Sequence, residues 1–183
     1  CTTSITLPKH ESEGGGDLII SWNDKANIKS AKIQSCGDYT SIANRFLSNC
    51  GITSVDLSGL TKVTNIGDSF LFSDGNIASV DLKGLCSVQR IGNSFLYSCG
   101  SLTEVDLTPL TELVYVDHSF IGMNKKLEKV DFTGLKKLTT ITYQFAQSNG
   151  SAEHKTKYIF KGCTNLSSLP DSSFNNGYIK EID

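Results

Sequence analysis

Six cysteines, at positions 1, 36, 50, 86, 99 and 163, and three histidines, at 10, 118 and 154, are the residues best equipped for metal or thiol chemistry. A zinc site needs clustered sulfur and nitrogen ligands, usually announced by a Cys-x-x-Cys pair. No such pair occurs, and no histidine stands at a ligand spacing from a cysteine. No metal or cofactor is expected. The signatures of nucleophilic and phosphate chemistry, Gly-x-Ser-x-Gly, a phosphate loop and His-Glu-x-x-His, do not occur either. Glu11 and Glu13 have no second carboxylate pair to meet. His118 reads as a surface variant at the position held by Asp68 and Asn93, not as a base. The residues assign no catalytic site, and the chain reads as a non-enzyme.

One carboxylate pattern does stand out. Asp56, Asp81, Asp106 and Asp131 recur every 25 residues, each between a valine and a leucine or phenylalanine. Side chains alternate along a strand, so the valine and leucine point inward and the aspartate outward. Neighbouring carboxylates about 5 Å apart repel by roughly 1 kcal/mol in water and about 3 kcal/mol at an effective dielectric of 20. Something must offset this. The expected offset is an Asx-type turn, in which each carboxylate accepts N–H bonds from the residues just after it. Lys83 and Lys129 also neutralise the column. The alternative is a site for calcium or a basic ligand.

The aspartates belong to an internal repeat. Val-Asp-Leu occurs at 55–57, 80–82 and 105–107, and Val-Asp-Phe at 130–132. Phe70, Phe95, Phe120 and Phe145 keep the same period, as do Leu60, Leu85, Leu110 and Leu135. So do Ile66, Ile91, Val116 and Ile141. A degenerate copy precedes them, from Ile28 through Ala31, Ile33, Cys36, Tyr39 and Ile42 to Phe46. Another begins at Leu166 and Leu169, after a register slip that predicts an insertion at 146–159. Residues 179–183 repeat the opening of a coil and predict a closing edge strand over 178–183. One copy cannot bury its apolar residues alone, whereas stacked copies can, with strands about 4.8 Å apart in a parallel sheet. Within each copy, Gly67-Asp68-Ser69-Phe70 and its equivalents predict a tight helical turn capped by Asp68 or Ser69. Its phenylalanine drops into the interior.

Repeat position also explains the cysteines. Cys50 and Cys99 share one column with Asp74 between them. That sets them two coils, about 10 Å, apart, while a disulfide needs Cα atoms within about 7 Å. Cys36, Cys50, Cys86, Cys99 and Cys163 are therefore expected to be uncrosslinked, small buried thiols in the turns.

Leu-x-x-Val-x-Leu, then Ile91-Gly92-Asn93-Ser94-Phe95 and Cys99, resembles the treponemal-type (BspA-like) leucine-rich repeat. Phe160-Lys161-Gly162-Cys163-Thr164-Asn165-Leu166 resembles it too. The resemblance spans about residues 28–170. It implies a β-rich leucine-rich-repeat solenoid: a right-handed coil of about five to six repeats of ~25 residues, with a parallel sheet on one face and short strands or helical turns elsewhere. It further implies a bacterial or protist surface protein engaged in adhesion and host-protein binding.

Residues 1–27 fall outside the repeat and are expected to form an N-terminal tether and cap, leaving 28–183 as the solenoid. Residues 8–16 read as a loop, 17–22 as a strand, and Trp22 as a lid on the first coil. Cys1, followed by small polar residues, suits the lipid-bearing first residue of a bacterial lipoprotein; the alternative is that the chain was simply cut there. Two sequons, at Asn149 and Asn165, read better as chance than as glycan acceptors. A net charge of -2 argues against nucleic acid as a partner. No apolar run spans a membrane, so membrane contact is expected only through an N-terminal lipid. The chain is expected to be a monomer.

Apolar columns are committed to the core, so recognition must use outward positions of the strands. The expected binding residues are Asp56, Asp81, Asp106 and Asp131 with Lys83, Glu104 and Thr108, flanked by Lys155 and Lys157 of the insertion. The function expected from this face is protein or glycan recognition at the cell surface or outside the cell. The alternative is an intracellular or effector-type scaffold for protein partners.

Overall fold

Each coil opens with a short run in which valine or isoleucine alternates with polar residues, the pattern of a half-buried strand. The computed structural model, which describes residues 3–7, 16–18, 28–33 and 39–183, turns most of these runs into strands. In chain order they are β1 Thr3–Leu7, β2 Gly16–Leu18, β3 Ile28–Ile33, β4 Tyr39–Ile42, β5 Ser54–Asp56, β6 Asn65–Ile66 and β7 Arg90–Ile91. There follow β8 Glu104–Asp106, β9 Tyr115–Val116, β10 Lys129–Asp131, β11 Thr140–Ile141, β12 Thr156–Ile159 and β13 Ile179–Ile182. The chain winds as a β-solenoid of about six turns. Among the described residues every strand pair is parallel, with the rest of the coil serving as the crossover that parallel pairing requires.

Two sides of the coil carry strands. One holds the sheets β1-β3-β5 and β8-β10-β12-β13; the other holds one six-stranded sheet, β2-β4-β6-β7-β9-β11. In register, Val130 pairs with Val105, and Ile91 with both Ile66 and Val116. Identical inward positions therefore stack into continuous apolar columns. β1 and β2 lie within the segment read from sequence as a tether and cap, and each adds a strand to one side. Trp22, Cys1 and Cys36 lie outside the described residues.

The first side is interrupted between β5 and β8, where Val80-Asp81-Leu82 forms no strand. A single 3-10 turn, Lys83–Leu85, follows at once. A Cβ on Gly84 would overlap the Leu57 carbonyl, so this coil approaches its neighbour more closely than any side chain permits. Val55 beside the break and Val80 within it are only half-buried, whereas Val105 and Val130 in the unbroken sheet are buried.

The third side is where the sequence expectation of a helical turn is corrected. Left-handed φ recurs at alternate residues: +60° at Ser69, +51° at Leu71 and +61° at Ser73. Ser94, Leu96 and Ser98 repeat this one coil later. Alternation swings the N–H groups out of the coil, away from the i−4 carbonyls of a helix. Ser69 and Ser73 donate to the carbonyls of Asn93 and Tyr97 in the next coil, both at 2.8 Å, and Leu71 donates back to Phe46 at 2.9 Å. Left-handed φ is costliest for β-branched side chains. Accordingly, Ile121, at the position of Leu71 and Leu96, is not among the left-handed residues. Asp68 does not cap its own turn: its Oδ1 accepts the Asn93 N–H of the next coil at 3.0 Å.

Inside, the phenylalanines form the expected spine. Phe46, Phe70, Phe95 and Phe120 stack with ring centroids 5.0–5.2 Å apart and are at most 1% exposed. Phe145 breaks the stack and packs edge-on against Phe132, Tyr158 and Phe174.

The strand register locates the slip read from sequence. Lys129 pairs with Lys157, an offset of 28, where Glu104 pairs with Lys129, an offset of 25. Three extra residues are thus accommodated before β12, and Thr156–Ile159 is already a regular strand. Phe160 does not continue the phenylalanine spine. It stacks on Phe132 at 4.7 Å, in the column of Leu82 and Leu107.

Candidate recognition face

Each aspartate of the outward column accepts the N–H of the residue two places on. The distances are 3.0 Å for Asp56–Ser58, Asp81–Lys83 and Asp106–Thr108, and 2.9 Å for Asp131–Thr133. The hydroxyls of Ser58 and Thr108 add bonds of 2.6 Å. The Asx turns are therefore present in every coil of the column. They occupy Oδ1 of each carboxylate. Lys129 lies 3.1 Å from Oδ2 of Asp131. Partial burial works against the charged form of Asp131, but the Thr133 bonds and Lys129 outweigh it and hold the carboxyl below its ordinary value.

Of the expected binding residues, the structure brings Glu104 and Lys157 into one row across β8, β10 and β12, with Lys129 between them. Asp56 and Asp81 lie apart from them, Asp56 at the edge of the sheet break and Asp81 within it, in a recess of about 210 Å³ with Lys83. The row forms the floor of a larger groove of about 800 Å³, with Ala152, Glu153 and Lys155 as one wall and Lys180 of β13 nearby. Gly150 lets the wall turn sharply: its φ is +71°, and a Cβ there would lie 2.5 Å from the His154 carbonyl. Ser151 donates its N–H to His154 at 2.7 Å and its hydroxyl accepts the His154 N–H at 3.1 Å. His154 then reaches Glu128 at 2.6 Å, tying the wall to the floor.

Charges in the groove divide into two kinds. Lys157 pairs with Glu181 at 2.8 Å, which raises its ammonium above the ordinary lysine value. Lys129 and Glu128 are engaged as described. Among the described residues, Glu104, Glu153, Lys155 and Lys180 form no ion pair. These four are the groups through which the groove can meet a charged partner. Sequence reasoning found Glu104 and Lys155 but missed Glu153 and Lys180, whose placement depends on the wall turn and on β13.

Polar groups in the interior do a different task. Cys50, Asp74, Cys99, Asn124 and Asn149 share one column, and Asp74, Asn124 and Asn149 are fully buried. Asp74 accepts the N–H groups of Cys50 and Gly51, both at 2.8 Å. Asn124 accepts the Cys99 N–H at 2.7 Å and donates to the Leu96 carbonyl at 3.0 Å. Asn149 accepts the Asn124 N–H at 3.0 Å and donates to Ile121 and to the Tyr158 hydroxyl. Burial of Asn149 removes it as a glycan acceptor in the folded chain.

No disulfide joins Cys50, Cys86, Cys99 and Cys163 to one another. Burial pushes the Cys99 thiol up to about 12, which makes it inert as a nucleophile. Cys86, expected to be buried, is exposed beside the 3-10 turn. Among the described residues, no group of three His, Cys, Asp or Glu side chains converges to hold a metal ion. No helix among them is long and apolar enough to cross a membrane.

Residues 21–152 match six copies of the BspA type leucine rich repeat region. The chain belongs to the BspA-type leucine-rich-repeat family. Among solved structures, the fold of this BspA-type chain is similar to that of the T. pallidum leucine rich repeat protein. The TM-score is 0.57 at 16% sequence identity, over 93% of this chain and 79% of that one. At that identity the likeness is one of fold. A comparison with curated proteins finds no match.

Proposed function

We propose that this BspA-type solenoid is a non-enzymatic recognition module acting at the cell surface or outside the cell, and that it holds an extended protein segment or glycan in the groove above Glu104, Lys129 and Lys157. The observation that carries this reading is the groove itself. There the strand face gains a wall, and among the described residues it presents two carboxylates and two ammonium groups that form no ion pair. Short strands hold the floor rigid, so binding orders few additional groups. Mixed polar donors and acceptors suit a peptide or sugar better than an apolar small molecule. Asp81 and Asp106 retain Oδ2 for a basic group, since their Asx turns engage Oδ1.

The test uses a panel of immobilised extracellular matrix proteins and glycans. Binding by the 183-residue chain should weaken about tenfold or more when Lys155 and Lys180 are both changed to glutamate, with a smaller loss when Asp81 and Asp106 are both changed to lysine. A ligand whose affinity survives both double variants binds elsewhere, and the strand face is then not the site.

A further inference from the structure

The opposite strand-bearing side has a different chemistry. Register sets Asn65, Arg90, Tyr115 and Thr140 in one outward row across β6, β7, β9 and β11. The Arg90 guanidinium carbon lies 4.1 Å from the centre of the Tyr115 ring. Arg90 is exposed and, among the described residues, has no ion-pair partner, unlike Lys129, Lys137 and Lys157. The ring fixes the plane of the guanidinium, while its N–H fork is left for a ligand.

A second row lies beside the first. His118 stacks on Tyr143 with centroids 5.1 Å apart and planes 2° from parallel. Asp117 Oδ1 faces His118 Nδ1 at 3.0 Å and also accepts the His118 N–H at 2.7 Å and the Thr142 hydroxyl at 3.3 Å. A carboxylate only accepts, so Nδ1 carries the proton and the ring is held in place. Tyr143 is 53% exposed, more than any other large hydrophobic side chain among the described residues, and Val114 beside Tyr115 is 37% exposed.

We propose that this face is a second binding site, separate from the groove, for an extended peptide segment that carries a carboxylate and, three residues further on, an aromatic side chain. Arginine's planar fork takes a carboxylate through two parallel hydrogen bonds. The His118–Tyr143 pair offers a flat shelf for a ring. Arg90 and Tyr143 stand two coils apart, about 10 Å along the solenoid axis by strand spacing, with Tyr143 in the neighbouring row. A polyproline-type segment rises ~3.1 Å per residue with three residues per turn, which brings residues i and i+3 to one side about 9 Å apart. Such a segment lies along the solenoid axis between the two rows, its acidic side chain reaching to Arg90 on one side and its ring to Tyr143 on the other. Both receptor groups are already ordered, Arg90 by Tyr115 and His118 by Asp117, so little conformational entropy is lost on binding.

The test uses a labelled synthetic peptide of the repeat Glu-Pro-Pro-Trp and measures its fluorescence anisotropy against the 183-residue chain at low salt. Saturable binding is expected, weakened about tenfold or more by Arg90→Ala and by Tyr143→Ser. Arg90→Lys should also weaken it, because the ammonium keeps the charge and loses the fork. A peptide with lysine in place of glutamate should not bind. Absence of saturable binding to the unaltered chain overturns the proposal, as does equal binding by Arg90→Ala or by the lysine peptide. Arg90 lies outside the groove, so ligands of the strand face should bind Arg90→Ala unchanged, which keeps the two readings separately testable.

Discussion

Two ladders of side chains run the length of this solenoid, and they use the same kind of group in opposite ways. On the strand face, Asp56, Asp81, Asp106 and Asp131 stand outside, and each accepts a hydrogen bond from its own coil, two residues on. In the interior, Asp74, Asn124 and Asn149 are fully buried, and each accepts from the backbone of the coil before it. The outer ladder closes each turn locally. The inner ladder joins coil to coil where no water can substitute. A repeat protein's stability is a sum of coil and interface terms, so the inner ladder should govern cooperativity and the outer one should be free to vary with the ligand.

The hardest blow to the interface terms falls on the spine beside the inner ladder. Phe95 is stacked between Phe70 and Phe120 with no exposed surface. Phe95→Ala should cost about 3–5 kcal/mol through lost burial and the cavity left behind. For a chain of this size that lowers the melting midpoint on the order of 10 °C. An unchanged midpoint would contradict the stacking of coils described here.

Asn124→Leu tests the inner ladder directly. It removes the acceptor for the Cys99 N–H and the donor to the Leu96 carbonyl, leaving two buried groups unsatisfied. At about 1–3 kcal/mol for each, the loss should be on the order of 2–4 kcal/mol, despite the added apolar surface. Native-state hydrogen exchange should show the Cys99 amide exchanging faster, with the effect spreading to the adjacent coil. If only global stability falls and the Cys99 amide keeps its relative protection, the amide is not what couples the coils.

How far the sequence foretold these features depends on whether each is local. The Asx turns were legible because donor and acceptor lie two residues apart, at aspartates followed by Ser, Lys or Thr. Apolar columns were legible because a period of 25 leaves the same residue types in register. The inner ladder was not, although Asp74, Cys99, Asn124 and Asn149 keep that period and Cys50 falls one residue short of it. Its partners are backbone groups of another coil, and only the stacked geometry shows that amides can replace cysteine there. Phe160 matched the spine by type alone, whereas parallel pairing of β12 with β10 sets it against Phe132. Most of the left-handed residues gave no sign because serine and leucine carry no strong mark of that conformation, as glycine would. Arg90–Tyr115 and His118–Tyr143 did leave a signal, since each pair is 25 residues apart, but cationic and aromatic residues at repeat spacing were not read as a surface row.

On the outer ladder the expected effects are small. Asp106→Asn keeps an oxygen able to accept the Thr108 N–H and hydroxyl bonds. It should change stability by less than about 1 kcal/mol, within the range of exposed polar substitutions. A loss as large as that of Asn124→Leu would erase the distinction between the ladders.

Asp131 gives the finest comparison, because its carboxyl is held below the ordinary value in the folded chain. Burial opposes the charge there; the Thr133 hydroxyl and N–H, together with Lys129, favour it more strongly. A depressed folded value means that the unfolded chain binds the proton more readily. The ionised carboxylate therefore adds stability above the unfolded value of about 3.9, and this is lost as pH falls through the lower folded value. Asp131→Asn removes the titrating group and keeps an oxygen for the Asx turn. Melting midpoints of the unaltered chain and Asp131→Asn, measured side by side from pH 7 down to pH 2, should differ slightly at the upper end and converge at the lower. The side chain is partly exposed and its Lys129 contact is open to solvent, so the difference at pH 7 should stay below about 1 kcal/mol and shrink with added salt. A gap that widens on acidification would mean that the folded chain binds the Asp131 proton more tightly than the unfolded one, contrary to the bonds that Thr133 and Lys129 make.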